Sequence, residues 1–314
     1  NVVYSGGLKI YTTQDSYMQS ILDTEFQNPE NFPANTQIGL DWALTVEQAD
    51  GEVQNYSKEM LQLYFRNSDP NFDLLFDSQE EAQSYIDQYK AAIMQEGDTI
   101  VAERSSFTPQ PQACMTVMDQ RTGYVKAIVG GRTAPTAQKQ LNRAYQSSMP
   151  IGSTIKPIAV YGPAFDAGAS PGSVVADMPV AIQGWGGRGY PNNYSMGFSG
   201  MTTIRTGLRN SLNVVASRVL ADWVGVETSA NYLLNMGVAE NHINRDLSGL
   251  ALGTSGLTMV ELATCYGTIA NNGVYQQPIS FSRVTDSDGN VVLDPTTARI
   301  TRQVYKETSV WMLK

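Results

Sequence analysis

The sequence predicts an α+β fold in which a mainly antiparallel sheet is flanked by helices. Strand-like runs open the chain and recur as hairpins near 114–129 and 283–293. Between the hairpins, apolar residues recur at helical spacing from 153 to 165, from 203 to 224 and from 257 to 271. A hydrophobic share of 42% with 16% charged residues is typical of a folded globular protein.

We expect residues 1–25 to form the opening strand and helix of the main domain. Residues 6–13 alternate in character and are rich in β-branched and aromatic side chains, which predicts a strand. Asp15 follows and is expected to cap a short helix that continues through Leu22.

Residues 26–111 differ in composition, because acidic side chains dominate and glycine becomes scarce. The residues from Ser78 to Glu81 are typical of a capping box and predict an amphipathic helix that begins there and runs towards Glu96. A second helix is expected near 57–65. We interpret this region as an inserted, acidic, mostly helical subdomain or pedestal, and it carries no recognisable catalytic motif.

Residues 112–314 form the core of the main domain, and Pro109 and Pro111 mark its boundary. Residues 114–119 and 124–129 predict a hairpin with Gly123 at its turn.

Composition excludes several classes of function. A net charge of −9, a sequence pI of about 4.7 and the lack of a basic cluster argue against a nucleic-acid partner. Cys114 and Cys265 are far apart, each in an apolar run, which favours two buried free thiols over one distant disulfide. Neither a metal site nor a cofactor is predicted, and no stretch of about 18 apolar residues would span a membrane.

The sequence contains a single histidine, His242, in a polar stretch that predicts a solvated loop. A Ser-His-Asp or Cys-His hydrolase needs an imidazole base beside its nucleophile. A nucleophilic mechanism here must therefore take its base from Lys, Glu, Asp or Tyr.

Ser153 and Lys156 are the strongest candidates for such chemistry. They lie one helical turn apart after Gly152, so they share a face at the predicted start of a helix. The helix N-terminus favours negative charge on a substrate oxygen, and burial would let Lys156 accept a proton at neutral pH. The S-x-x-K spacing alone occurs by chance about once in a chain of this size, and a capped helix start with a solvated lysine would show it too.

The wider context resembles the transpeptidase domain of class A penicillin-binding proteins. The resemblance covers residues 1–25 and roughly 112–314, and its segments occur in the family's order. The matching segments are Gly6–Asp15, Val129–Gly131, Asn142–Ala144, Pro150–Ile158, Tyr190–Tyr194, Arg205–Asn213, Ala251–Thr254, Leu257–Ala263 and Ala270–Val274.

The resemblance implies the penicillin-binding and serine β-lactamase-like fold, with Ser211 and Asn213 as the family's S-x-N pair. Ser211 would relay a proton between Lys156 and the leaving amine, and Asn213 would hold the substrate backbone and the lysine. Ser229 begins a second S-x-N whose surroundings do not match, and we expect it on a helix surface. Trp185 and Tyr190 are candidates for the substrate-binding rim of the cleft, and ordinary packing explains them equally well.

The family's K-T-G strand does not follow Asn213. Arg121–Gly123 and Arg205–Gly207 look similar but come too early in the chain. We therefore expect the chain to stop before K-T-G, and to be inactive alone because half of the oxyanion hole would be missing.

The resemblance implies a D,D-transpeptidase that cross-links peptidoglycan stem peptides through an acyl-enzyme on Ser153. Implied partners are stem peptides, the lipid-linked precursor, β-lactams as covalent inhibitors, and other cell-wall synthesis proteins. The implied location is extracytoplasmic, with a membrane anchor before Asn1. Two alternatives stay open: a non-catalytic β-lactam sensor or scaffold, and a serine β-lactamase, which the lack of a deacylation carboxylate disfavours.

Overall fold

The computed structural model describes residues 6–132, 134 and 140–314. The chain divides into two compact units. The first unit runs to Leu22 and also contains Cys114–Gly130 and Leu141–Lys314. The second unit contains Asp23–Ala113 and the short segment that begins at Gly131. Within the described residues, no helix combines the length and the apolar character that a membrane crossing requires.

The first unit is an α+β assembly whose paired strands run antiparallel, as predicted. The strands form several small sheets, of which the largest orders Lys9–Thr12, Phe281–Thr285 and Val291–Leu293. The other strands are Met115–Asp119, Tyr124–Val129, Met149–Pro150, Val174–Asp177, Gly200–Thr203, Gly256–Leu257, Val274–Gln276 and Thr301–Gln303.

Thr13 joins the largest sheet to the first predicted hairpin. Its buried hydroxyl donates to the carbonyl of Val125 at 2.7 Å and lies 3.2 Å from that of Ile279. The Val125 N–H in turn donates to the Ile279 carbonyl at 3.0 Å. Both predicted hairpins are confirmed, and Gly123 occupies the first turn with φ +66°.

Helices and helical turns enclose the apolar core of this unit. The helix Ser16–Gln27 starts where expected, because an Asp15 carboxylate oxygen accepts from the N–H groups of Tyr17 and Met18. The other α-helices are Arg143–Gln146, Gly162–Asp166, Ile204–Arg209, Asn213–Val219, Val226–Asn235, Leu247–Ala251, Met259–Ala270 and Glu307–Leu313. Two 3-10 turns, Gly152–Thr154 and Glu240–His242, and two π-helical turns, Lys156–Tyr161 and Leu220–Val224, complete the set.

The second unit corrects the prediction of a mostly helical insert. Its centre is the strand Gln37–Glu47, which pairs along its length with Thr99–Gln110. Val53–Ser57 and Leu75–Phe76 pair with parts of its opposite edge. The sequence does carry the strand signal, since alternate side chains from Leu40 to Val46 are buried.

Two helices of the second unit match their predictions. Lys58–Arg66 and Gln79–Ile93 pack against the sheet, and the Ser78 hydroxyl accepts from the Glu81 N–H at 3.1 Å. The 3-10 turn Pro29–Asn31 is the remaining helical element of this unit.

Both cysteines are free thiols, as predicted, although Cys114 is only half-buried. Burial raises the pKa of both thiols, so neither is activated as a nucleophile.

Candidate active site

The turn before Ser153 is held by a short antiparallel ladder. Met149–Pro150 pairs with Gly256–Leu257, and the Gly152 N–H then donates to the Gly253 carbonyl at 3.0 Å. Gly152 has φ +57°, a left-handed conformation that glycine adopts without strain. A Cβ on Gly253 would lie 2.0 Å from the Gly152 carbonyl oxygen. Gly253 therefore allows the two backbones to approach closely, and Gly152 supplies the left-handed conformation at the start of the turn.

Ser153 lies exposed on the 3-10 turn Gly152–Thr154. The turn is braced on both sides of the serine, because the Thr154 hydroxyl donates to the Ile151 carbonyl at 2.6 Å and the Tyr266 hydroxyl donates to the Thr154 carbonyl at 2.9 Å. Within the part of the chain that the structure describes, the Ser153 hydroxyl makes no hydrogen bond. The serine thus combines a braced backbone with an accessible oxygen.

Lys156 is buried, with 1% of its surface exposed. Its amine donates to the Ser211 carbonyl at 2.8 Å and to Asn213 Oδ1 at 2.7 Å, and it lies 3.0 Å from Ser211 Oγ. The structure therefore brings together three of the predicted site residues. It leaves the Ser153 hydroxyl without a hydrogen bond to this cluster.

Burial lowers the pKa of Lys156 from 10.5 to about 8. The hydrogen-bond geometry also suits the neutral amine. The Ser211 carbonyl and Asn213 Oδ1 only accept hydrogen bonds, so they can take the two N–H groups of that form. The remaining lone pair would then face Ser211 Oγ, which can donate. Lys156 can therefore exchange a proton near neutral pH.

Ser211 interrupts the helix that the sequence predicts over 203–224. It has φ +52° and lies between the helices Ile204–Arg209 and Asn213–Val219. Left-handed backbone is strained for a residue with a side chain and is concentrated at functional sites. Here the break directs both the carbonyl and the hydroxyl of Ser211 towards Lys156.

Sequence reasoning missed three residues that support Asn213. The Asn193 side chain accepts from the Asn213 N–H at 2.8 Å and donates to Asp177 at 2.8 Å. The Asn213 amide itself donates to the Asn192 carbonyl at 2.7 Å. The segment Tyr190–Tyr194 marked this region in the sequence, whereas nothing in the sequence indicated Asp177.

Ser229 is buried, which corrects its predicted place on a helix surface. Its hydroxyl donates to the Ala159 carbonyl at 2.6 Å, and the Tyr305 hydroxyl donates to the neighbouring carbonyl of Ile158. Both carbonyls belong to the π-helical turn that begins at Lys156. The second S-x-N therefore braces the turn that carries the lysine.

We expect Ser229→Ala to lower the free energy of unfolding by about 1–2 kcal/mol, because it removes a buried hydrogen bond. Denaturant titration measures this loss. Ser20→Ala, which alters an exposed hydroxyl, serves as the control. Equal stability of the two variants would contradict a bracing role for Ser229.

The prediction that His242 is solvated is wrong. The ring is half-buried against Glu261. Its Nδ1 lies 2.9 Å from a carboxylate oxygen of Glu261, which also closes a capping box with Thr258 at the start of Met259–Ala270. The capping box holds the carboxylate in place, and the histidine ring that pairs with it is half-buried. The hydrogen bonds of the ring go to Glu261 and not to Ser153 or Lys156.

Trp185 and Tyr190 are half-buried and pack against the core of the first unit. Tyr190 also meets Phe198 edge to face at 6.0 Å and lies under the Arg188 guanidinium at 5.0 Å. These contacts account for both rings through packing, and their contact with substrate stays a prediction.

The family model of the penicillin-binding protein transpeptidase domain matches residues 113–314. The chain belongs to this family. The resemblance inferred from the ordered motifs is thereby confirmed. Arg205–Gly207, which looks like K-T-G, lies in a helix and so does not supply the family's K-T-G strand.

Relatives in this family include Penicillin-binding protein 1A of Clostridium perfringens (strain 13 / Type A), which is 32% identical over 286 residues. That alignment covers 86% of this chain and 40% of the relative. Penicillin-binding protein 1A of Vibrio cholerae is 33% identical over 196 residues, covering 61% of this chain and 23% of the relative. The chain therefore spans less than half the length of the relatives it matches.

Solved structures show the same fold. Penicillin-Binding Protein 1A from Haemophilus influenzae superposes with a TM-score of 0.60 at 20% identity, over 94% of this chain and 47% of that one. The PonA1 protein from Mycobacterium tuberculosis, solved in complex with penicillin V, superposes with a TM-score of 0.60 at 16% identity. The superposition covers 98% of this chain and 62% of that one. The predicted penicillin-binding fold is confirmed.

Proposed function

We propose that this protein is a serine D,D-transpeptidase that cross-links peptidoglycan stem peptides and is inhibited by β-lactams. One observation carries the proposal. Lys156 is buried with a lowered pKa and is held by Ser211 and Asn213, one helical turn from the exposed hydroxyl of Ser153. This arrangement offers a nucleophile and a base without histidine.

In the first step, rotation of the Ser153 side chain brings its hydroxyl to the neutral amine of Lys156. Such hydrogen bonds often tighten only when substrate is bound. The amine takes the proton while Ser153 Oγ attacks the carbonyl of the penultimate D-Ala. Ser211 Oγ passes that proton from Lys156 to the departing nitrogen, so terminal D-Ala leaves as a neutral amine and Ser153 carries the acyl group.

In the second step, an amine from a neighbouring stem peptide attacks the ester. The same groups take one proton from this amine and return it to Ser153 Oγ, which restores the hydroxyl and completes the cross-link. Asn213 holds Lys156 through Oδ1, and we assign it contact with the substrate backbone. β-Lactams acylate the same serine and block this cycle.

Several partners follow from the proposed reaction. The enzyme would act outside the cytoplasm on stem peptides and on material derived from the lipid-linked precursor, alongside other cell-wall synthesis proteins. No nucleic acid or cofactor enters the proposed chemistry.

Mass spectrometry of the full-length protein with a labelled penicillin tests the proposal. We expect one adduct, on Ser153, together with exchange of terminal D-Ala for an added amine. An adduct without exchange would favour a β-lactam sensor over an enzyme. A protein that binds no label at Ser153 would contradict both functions.

The acylation rate should depend on the charge of Lys156. Only the neutral amine accepts the serine proton, so we expect the rate to rise with pH and to reach half its maximum near pH 8. Burial lowers this pKa below 10.5, so the unfolded state binds the proton more tightly between about pH 8 and 10.5. This group therefore also makes the free energy of unfolding rise with pH in that window.

Stopped-flow acylation between pH 6 and 9.5 measures the rate profile. The control is hydrolysis of the same β-lactam without protein, which corrects for alkaline decay. A flat profile through pH 8 would contradict Lys156 as the base.

A further inference from the structure

A buried chain of hydrogen bonds runs from Asp177 to the amine of Lys156. Asp177 and Asn193 are 0% and 2% exposed. Asp177 Oδ1 accepts from Asn193 Nδ2 at 2.8 Å, and Asn193 Oδ1 accepts from the Asn213 N–H at 2.8 Å. Asn213 Oδ1 then accepts from Lys156 at 2.7 Å. The chain thus links a carboxylate outside the reacting cluster to the amine.

Asn193 caps the helix that carries Asn213. The residue before that helix is Leu212, whose side chain cannot accept a hydrogen bond. Asn193, 20 residues away in sequence, takes this role by accepting from the N–H groups of Asn213 and Val214 at 2.8 and 3.2 Å. The first residue of the helix is therefore fixed by a side chain from a separate loop.

Asp177 fixes the orientation of the capping amide. The Asn193 amide nitrogen donates to both Asp177 and the Gly197 carbonyl, so its oxygen must face the helix. The second oxygen of Asp177 accepts from the Ser199 N–H at 2.7 Å, which anchors the end of the same loop. Among the described residues, no cation pairs with Asp177, and its hydrogen-bond donors are the neutral N–H groups of Asn193 and Ser199.

We infer that Asn193 and Asp177 are positioning residues for the acylation reaction. They hold Asn213 Oδ1 on the Lys156 amine, so that the amine's lone pair remains directed at Ser211 Oγ. The inference rests on the proposed function, and it assigns a role to two residues that make no hydrogen bond to Ser153 or Lys156.

Exchanging the members of the pair tests this role. Asn193→Asp keeps an oxygen for the helix but faces Asp177 with a second carboxylate. We expect it to slow acylation by a labelled penicillin about 100-fold, because small displacements of reacting groups cost this much. We also expect the pH at which acylation reaches half its maximal rate to differ from that of the wild type. The double variant Asn193→Asp with Asp177→Asn restores one donor and one acceptor between the two side chains, while the Gly197 carbonyl loses its donor. We expect it to recover at least about a tenth of the wild-type rate, together with a wild-type half-maximal pH.

The full-length protein is used for every variant, with thermal unfolding measured alongside. Asn28→Ala, which removes a helix-capping asparagine in the second unit, is the matched control and should acylate at the wild-type rate. Single and double variants that are equally slow, or an Asn193→Asp variant with the wild-type rate and pH profile, would overturn the inference. If wild-type protein takes no label, the proposed function fails instead.

Discussion

Replacing Lys156 by alanine is expected to abolish acylation of Ser153 while the protein stays folded. The substitution removes the buried amine that accepts the serine proton. We expect the rate with a labelled penicillin to fall by about 10³-fold or more, which is the scale of a lost general base. Cooperative thermal unfolding should persist, because the core around the π-helical turn remains apolar. Mass spectrometry of the intact protein measures the adduct.

Lys156→Arg separates proton acceptance from positive charge. A guanidinium keeps its charge at every accessible pH and cannot serve as the base. We therefore expect this variant to be as inactive as the alanine variant and to show no rise in rate near pH 8. Normal acylation by either variant would contradict the assigned role of the lysine.

Gly253→Ala should have the largest structural effect of any single methyl addition beside the site. The new Cβ would lie 2.0 Å from the Gly152 carbonyl oxygen and would occupy a backbone with φ +78°. Either the ladder before Ser153 opens or the turn moves. We expect a loss of about 3 kcal/mol in the free energy of unfolding and a fall in acylation of about 100-fold.

Gly168→Ala is the matched control for that substitution. Gly168 also has positive φ, at +101°, but a Cβ there would meet no atom within 4 Å. It should therefore cost about 1–2 kcal/mol through backbone strain and leave acylation unchanged. If both variants acylate alike, close contact between Gly152 and Gly253 does not set the position of Ser153.

Local patterns predicted the elements whose causes are local. The hairpin around Gly123, the helix capped by Asp15 and the one-turn spacing of Ser153 and Lys156 each depend on neighbouring residues. The second unit shows where composition misleads. Its acidic surface suggested helices, whereas the alternation from Leu40 to Val46 forms the central strand of a sheet.

Ser153 and Lys156 were therefore predictable from the sequence, together with the family and its fold. The tertiary structure alone decided how they are held. Burial of Lys156, the left-handed break at Ser211 and the cap that Asn193 places on a distant helix all join segments far apart in the chain. Such contacts leave no periodic signal, because desolvation and hydrogen bonding act between neighbours in space, whereas periodicity records only neighbours along the chain.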